Sequence, residues 1–140
     1  MSKDTSRMLE ELKTCESFTR FYNENADNLP ERSLSDYLQE LIAGKKRKKA
    51  DIIRKSELSE TYAYQIFSGI RVPDRKKLIC LAVGMELNLE ETQTLLKSSG
   101  YAQLYPKKPW DCVVIYGICK MLTVVQINEL LYDYEMETLG

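Results

Sequence analysis

From residue 33 onward, apolar side chains recur at helical intervals and are punctuated by capping residues and glycines. Leu34, Tyr37, Leu38, Leu41 and Ile42 form one stripe at i, i+3, i+4, i+7 and i+8, with Ser33 and Asp36 to start it and Gly44 to stop it. A short helix over residues 48–55 turns Ile52 and Ile53 inward. After a turn of about four residues, Ser59 caps a third helix that runs to Ser68 and is closed by Gly69. Two short helices joined so tightly cannot lie antiparallel; they cross steeply, as in a helix-turn-helix. Pro73 and Asp74 open a fourth helix carrying Leu78, Ile79, Leu81, Ala82 and Val83, which Gly84 stops. Asn88 and Glu91 make a capping box for a fifth, with Thr92, Leu95 and Leu96 following and Gly100 at its end.

The flanks are also helical in pattern. Met8, Leu9, Leu12, Phe18, Phe21 and Tyr22 suggest one or two amphipathic helices within residues 5–25, and the polar run ENADNL with Pro30 marks a boundary. Beyond Pro106 and Pro109, helices are expected over residues 110–120 and 123–134, the latter boxed by Thr123 and Gln126. Both are apolar over most of their circumference and demand burial on more than one side. They either complete the core of a single chain or form a dimer contact. The expectation is an all-α protein: an N-terminal helical extension (residues 1–32), a five-helix core (33–100) and a C-terminal helical pair (101–140). No internal repeat or strand-period segment interrupts the pattern.

Composition narrows the function classes. The chain has 140 residues, 44% of them hydrophobic and 29% charged, which are ordinary values for a soluble domain. The longest apolar run, residues 112–116, is far too short for a bilayer, and MSKDTSRMLEELK is charged where a signal peptide is apolar; a cytoplasmic protein is expected. Cys15, Cys80, Cys112 and Cys119 form no CxxC pair, and no histidine is present to complete a zinc site or act as a general base. With no glycine-rich phosphate loop either, neither metal, cofactor nor catalysis is expected.

Charge changes the picture when resolved along the chain. Residues 44–77 hold eleven Lys/Arg against Asp51, Glu57, Glu60 and Asp74, a local net of +7, while the remainder sums to −8 and the whole chain to −1. Local potential, not total charge, governs binding to a polyanion.

The string KKADIIRKSELSETYAYQIFSGIRVPDRKKLICLAVGMELNLEE, read with this charge, resembles the helix-turn-helix of the lambda-repressor-like, XRE-type bacterial regulators. The resemblance is carried by Ile52 and Leu58 in the motif's core, Ser59 at the start of the recognition helix, Ile66, Phe67, Ser68 and Gly69 at its end, and Arg71, Val72 and Pro73 after it. It covers residues 33–100; the C-terminal helices look like an extension found in one subgroup. Two positions depart from the pattern. Glu57 stands where the turn usually has Gly, and is expected to relax out of the left-handed conformation. Ile53 stands where a small Ala is expected, and should push the crossing helices apart.

The resemblance implies a transcriptional regulator that binds double-stranded DNA, as a homodimer with recognition helices roughly 34 Å apart. Ala63, Ile66 and Phe67 face inward on the third helix. Ser59, Glu60, Thr61, Tyr64 and Gln65 map to base-reading positions, where Gln65 would pair with adenine, Thr61 and Tyr64 would meet a thymine methyl and Glu60 would accept from cytosine. Tyr64 serves equally well as helix packing, and Tyr62 better so. Lys45, Lys46, Arg47, Lys48, Lys49, Arg54, Ser68, Arg71, Arg75, Lys76 and Lys77 flank this helix as phosphate contacts. A rival from a different class is a helix-turn-helix scaffold that binds a protein partner through its acidic or apolar C-terminal helices, as an adaptor, an antitoxin-like neutraliser or a mobile-element inhibitor. RNA binding by the KKRKK run ranks behind both, lacking any RNA module.

Overall fold

Each predicted side-chain N-cap does its work in the computed structural model, which describes residues 5–25 and 33–140 and within them nine helices and no strand. Two compact units divide after residue 32, and the boundary expected at Pro30 lies outside the described residues.

In the first unit, α1 (Thr5–Thr14) and α2 (Phe18–Glu24) are separate helices. The Ser17 hydroxyl accepts from the Arg20 amide to start α2, and the buried Asn25 side chain donates 2.9 Å to the Phe21 carbonyl to end it. Phe21 is buried, whereas Leu9, Leu12, Phe18 and Tyr22 remain exposed.

The second unit holds α3 (Leu34–Lys45), α4 (Lys49–Ser56), α5 (Glu60–Phe67), α6 (Arg75–Gly84), α7 (Leu89–Ser98), α8 (Pro109–Cys119) and α9 (Val124–Asp133). Ser33, Ser59, Asp74, Asn88 and Thr123 each accept the backbone N–H three residues on, and Asn88–Glu91 and Thr123–Gln126 close reciprocal boxes. Each cap satisfies an otherwise orphaned donor and contributes about 1 kcal/mol. The core is continuous from Leu38 on α3 to Leu131 on α9 and Leu139 in the tail.

Its centre is α6, where Leu78, Ile79, Cys80, Leu81 and Ala82 are buried in succession, so every side of the helix is covered. The C-terminal pair, for which burial on more than one side is expected, is less enclosed. Those helices cover α6 and α7 with Val114, Ile118, Val124, Ile127 and Leu131, and leave Cys112, Tyr116, Val125 and Tyr132 outside. They complete the core of the single chain.

Close backbone approaches explain two glycines. A Cβ on Gly84 would lie 2.7 Å from the Ile52 carbonyl and 2.9 Å from the Ser56 amide, so α4 and α6 meet backbone to backbone there. Gly84 is therefore a packing residue inside α6, and the chain leaves the helix through left-handed Glu86 (φ 56°). Gly44 likewise stays helical, and left-handed Lys46 (φ 53°) ends α3. On Gly117 a Cβ would meet the Ile127 side chain at 2.5 Å, which sets the α8–α9 crossing.

The α4–α5 turn keeps the left-handed conformation despite its glutamate: Glu57 has φ 62° and ψ 11°. The expected relaxation does not occur because both sides are pinned. The buried Ser56 hydroxyl donates 2.6 Å to the Ile53 carbonyl and accepts at 3.3 Å from the Leu58 amide. Ile53 is buried in the core beside Ile52, and the tight approach of α4 is to α6 at Gly84.

Candidate nucleic-acid interface

The surface around α5 begins with the turn just described, which delivers Ser59 to the start of the helix. Ala63, Ile66 and Phe67 anchor α5 in the core, and the Phe67 carbonyl is held by the Ser35 hydroxyl from α3. The three-and-four spacing then leaves Glu60, Thr61, Tyr64 and Ser68 exposed, with Gln65 half-buried. Ser59 spends its hydroxyl on the cap, accepting from the Tyr62 amide at 3.2 Å. Ser68 donates to the Gln65 carbonyl at 3.1 Å. Tyr62 is half-buried, with Arg71 and Lys77 over its ring at 5.8 and 5.7 Å, so it packs beside the exposed face without joining it. Glu60, Tyr64 and Gln65 border a shallow open depression together with Gln39 and Lys49.

The flanking cations divide into two groups. Lys45 binds Glu91 at 2.8 Å, and Glu86 receives both Arg47 at 3.0 Å and Lys55 at 2.7 Å. Those contacts hold both carboxyls below their ordinary range: Glu86 chiefly through the Lys55 hydrogen bond and then Arg47, Glu91 chiefly through Lys45. Arg75 is a structural clamp. It donates to the carbonyls of Ala102 and Gln103 at 2.9 and 3.2 Å and forks onto buried Asp111 at 3.3 and 3.1 Å, while Asp111 also accepts from the Tyr105 amide. Lys76 pairs with Glu137, whose carbonyl also accepts from the Trp110 indole at 2.7 Å. These cations tie the segments after α7 and α9 to the start of α6. Lys77 leans loosely on Asp74 at 3.6 Å, and Arg54 on Asp51 at 3.4 Å.

The second group has no carboxylate partner among the described residues. Lys46 ends α3 and Lys48 stands at the N-cap of α4, and Lys49 lies 5.4 Å over the Phe67 ring. Arg71 donates its Nε–H to Gln65 Oε1 at 2.6 Å. Sequence reasoning grouped these four with Lys45, Arg47, Arg75 and Lys76 because all are basic and close in the chain. It missed Glu86, Glu91, Asp111 and Glu137, the acids that separate the two groups, since no local spacing signals a partner dozens of residues away.

Among the described residues no three His, Cys, Asp or Glu side chains gather as metal ligands, and no helix is long and apolar enough to cross a membrane. Cys80 is buried in α6, and burial pushes its thiol up to about 11. Comparison with protein-family models, curated proteins and solved structures found no match to this chain.

Proposed function

We propose that this protein is a sequence-specific double-stranded-DNA-binding regulator, with α3–α7 as a lambda-repressor-like core and α5 as the recognition helix. The observation that carries the proposal is the outer face of α5, polar, exposed and bordered by Lys49 and Arg71, with Lys46 and Lys48 just before α4; none of these four cations has a carboxylate partner among the described residues. A helix so anchored presents Glu60, Thr61, Tyr64 and Gln65 to base edges while the cations meet phosphates. A second copy belongs to the proposal, because one short helix reads few base pairs and paired half-sites lie about 34 Å apart.

Salt titration of binding to duplex DNA tests it. Four phosphate contacts per chain predict that log K falls with log salt at a slope of about −3.6 per bound chain, since each neutralised phosphate contributes about −0.9. Failure to retain any duplex at low ionic strength overturns the proposal. A second reading, a protein-binding adaptor on the same scaffold, is favoured by one observation: Lys45, Arg47, Lys55, Arg75 and Lys76 are already neutralised by acids of the same chain, while Glu57 and Glu60 are exposed beside α5. That reading predicts no salt-dependent retention on DNA.

A further inference from the structure

By chain position Arg71 is one phosphate contact among many, but its surroundings single it out. The amides of Ile70 and Arg71 both donate to the Gln65 carbonyl, at 2.9 and 3.1 Å, which folds the loop back along α5. The Arg71 side chain then donates its Nε–H to Gln65 Oε1 at 2.6 Å, and its guanidinium carbon lies 5.8 Å from the centre of the Tyr62 ring. The hydrogen bond from Nε and the nearby Tyr62 ring together orient the group. No carboxylate competes for it among the described residues.

A guanidinium whose Nε is occupied still offers Nη1 and Nη2 end-on, two donors at the spacing of guanine O6 and N7. A phosphate contact needs no such orientation, since a flexible point charge like that of Lys46 or Lys48 serves. The same bond changes Gln65. Bidentate pairing with adenine requires an acceptor for N6–H and a donor for N7. With Oε1 already accepting from Arg71, Gln65 has one lone pair left there and is weakened as the acceptor for adenine N6–H. The pair is then richer in donors than in acceptors. Guanine matches with two acceptors, whereas the N6 amine of adenine opposes a donor.

We infer that Arg71 and Gln65 form one coupled unit that reads guanine in the major groove, Arg71 touching the base and Gln65 positioning it. The inference rests on the DNA-binding proposal and replaces both the adenine assignment of Gln65 and the phosphate assignment of Arg71, which leaves three phosphate contacts and a salt slope of about −2.7 per bound chain. It is tested by selecting bound sites from random duplexes with the full-length protein, then measuring affinities for guanine and adenine versions of the selected site. The wild type is expected to select a guanine in each half-site and to prefer it over adenine by about 5- to 160-fold, the range of one good bidentate contact. Arg71→Ala removes the donors, so the preference is expected to fall to within about twofold while the phosphate-driven salt slope persists; Arg71→Lys can still reach O6 and N7 but has no Nε–H for Gln65 to hold, and is expected to keep part of the preference. Gln65→Ala is expected to reduce the preference without abolishing it. Lys48→Ala is expected to weaken both duplexes equally. If Arg71→Lys and Arg71→Ala, shown by circular dichroism to stay folded, keep the wild-type preference, Arg71 is a phosphate contact and the inference is overturned alone. If the wild type binds no duplex, the DNA-binding proposal falls with it.

Discussion

Replacing Gly84 and Gly44 by alanine should move stability in opposite directions, although both glycines are helical. On Gly44 a Cβ meets nothing within 4 Å, so Gly44→Ala gains helix propensity without steric cost. The gain is about 0.5 to 1 kcal/mol. On Gly84 the same methyl would sit 2.7 Å from the Ile52 carbonyl and 2.9 Å from the Ser56 amide, both backbone atoms that no rotamer change can move aside. Helices α4 and α6 must therefore separate by several tenths of an ångström. Overpacking of this kind costs about 1 to 3 kcal/mol, and the backbone contact argues for the upper part of that range; after the propensity gain, a net loss of about 1 to 2 kcal/mol is expected. For a unit of this size that is a fall in Tm of roughly 4 to 10 °C, against a rise of roughly 2 to 5 °C for Gly44→Ala. Thermal and urea unfolding of both variants read the difference directly. A Gly84→Ala protein as stable as the wild type would refute the backbone contact between α4 and α6.

Further outcomes follow from the ion pairs and the strained turn. Asp111→Ala strands Arg75 and the Tyr105 amide; loss of one partner of a buried pair costs about 3 to 5 kcal/mol, lowered to about 2 to 4 because the Arg75 side chain is 26% exposed, and a urea-measured loss below 1 kcal/mol would contradict the clamp. Glu86 and Glu91 have folded pKa values below the ordinary 4.5, so their stabilisation is complete above that value and disappears as pH falls through the lowered folded values. A Glu86→Gln, Glu91→Gln double variant should thus unfold at lower urea than the wild type at pH 7 and converge with it in acid; a constant gap across pH would deny the pairs this role. Glu57→Gly removes the Cβ penalty at φ 62° and should raise stability by about 0.5 to 1 kcal/mol, visible as a higher urea midpoint with unchanged m.

Much of the helical framework is legible in the chain because caps act locally. Ser33, Ser59, Asp74, Asn88 and Thr123 each bind an amide three residues away, within the reach of a sequence motif. The inward set Ala63, Ile66 and Phe67 is equally local, since helical periodicity assigns faces before any partner is known. Helix ends were less legible. Gly44 and Gly84 look like stops, yet glycine serves close approach as well as the left-handed conformation, and only the position of α4 tells which purpose Gly84 serves.

The candidate site divides along the same line. Sequence alone determined that a basic segment surrounds α5 and that Glu60, Thr61, Tyr64 and Gln65 share its outer side, because charge content and helical phase are properties of neighbouring residues. Which cations remain available was decided only by tertiary structure. Glu86 reaches Lys55 across 31 residues, Asp111 reaches Arg75 across 36 and Glu91 reaches Lys45 across 46. Coulomb attraction falls with distance in space and takes no account of separation along the chain, so the acidic flanks neutralise part of the basic segment only once packing has brought them together.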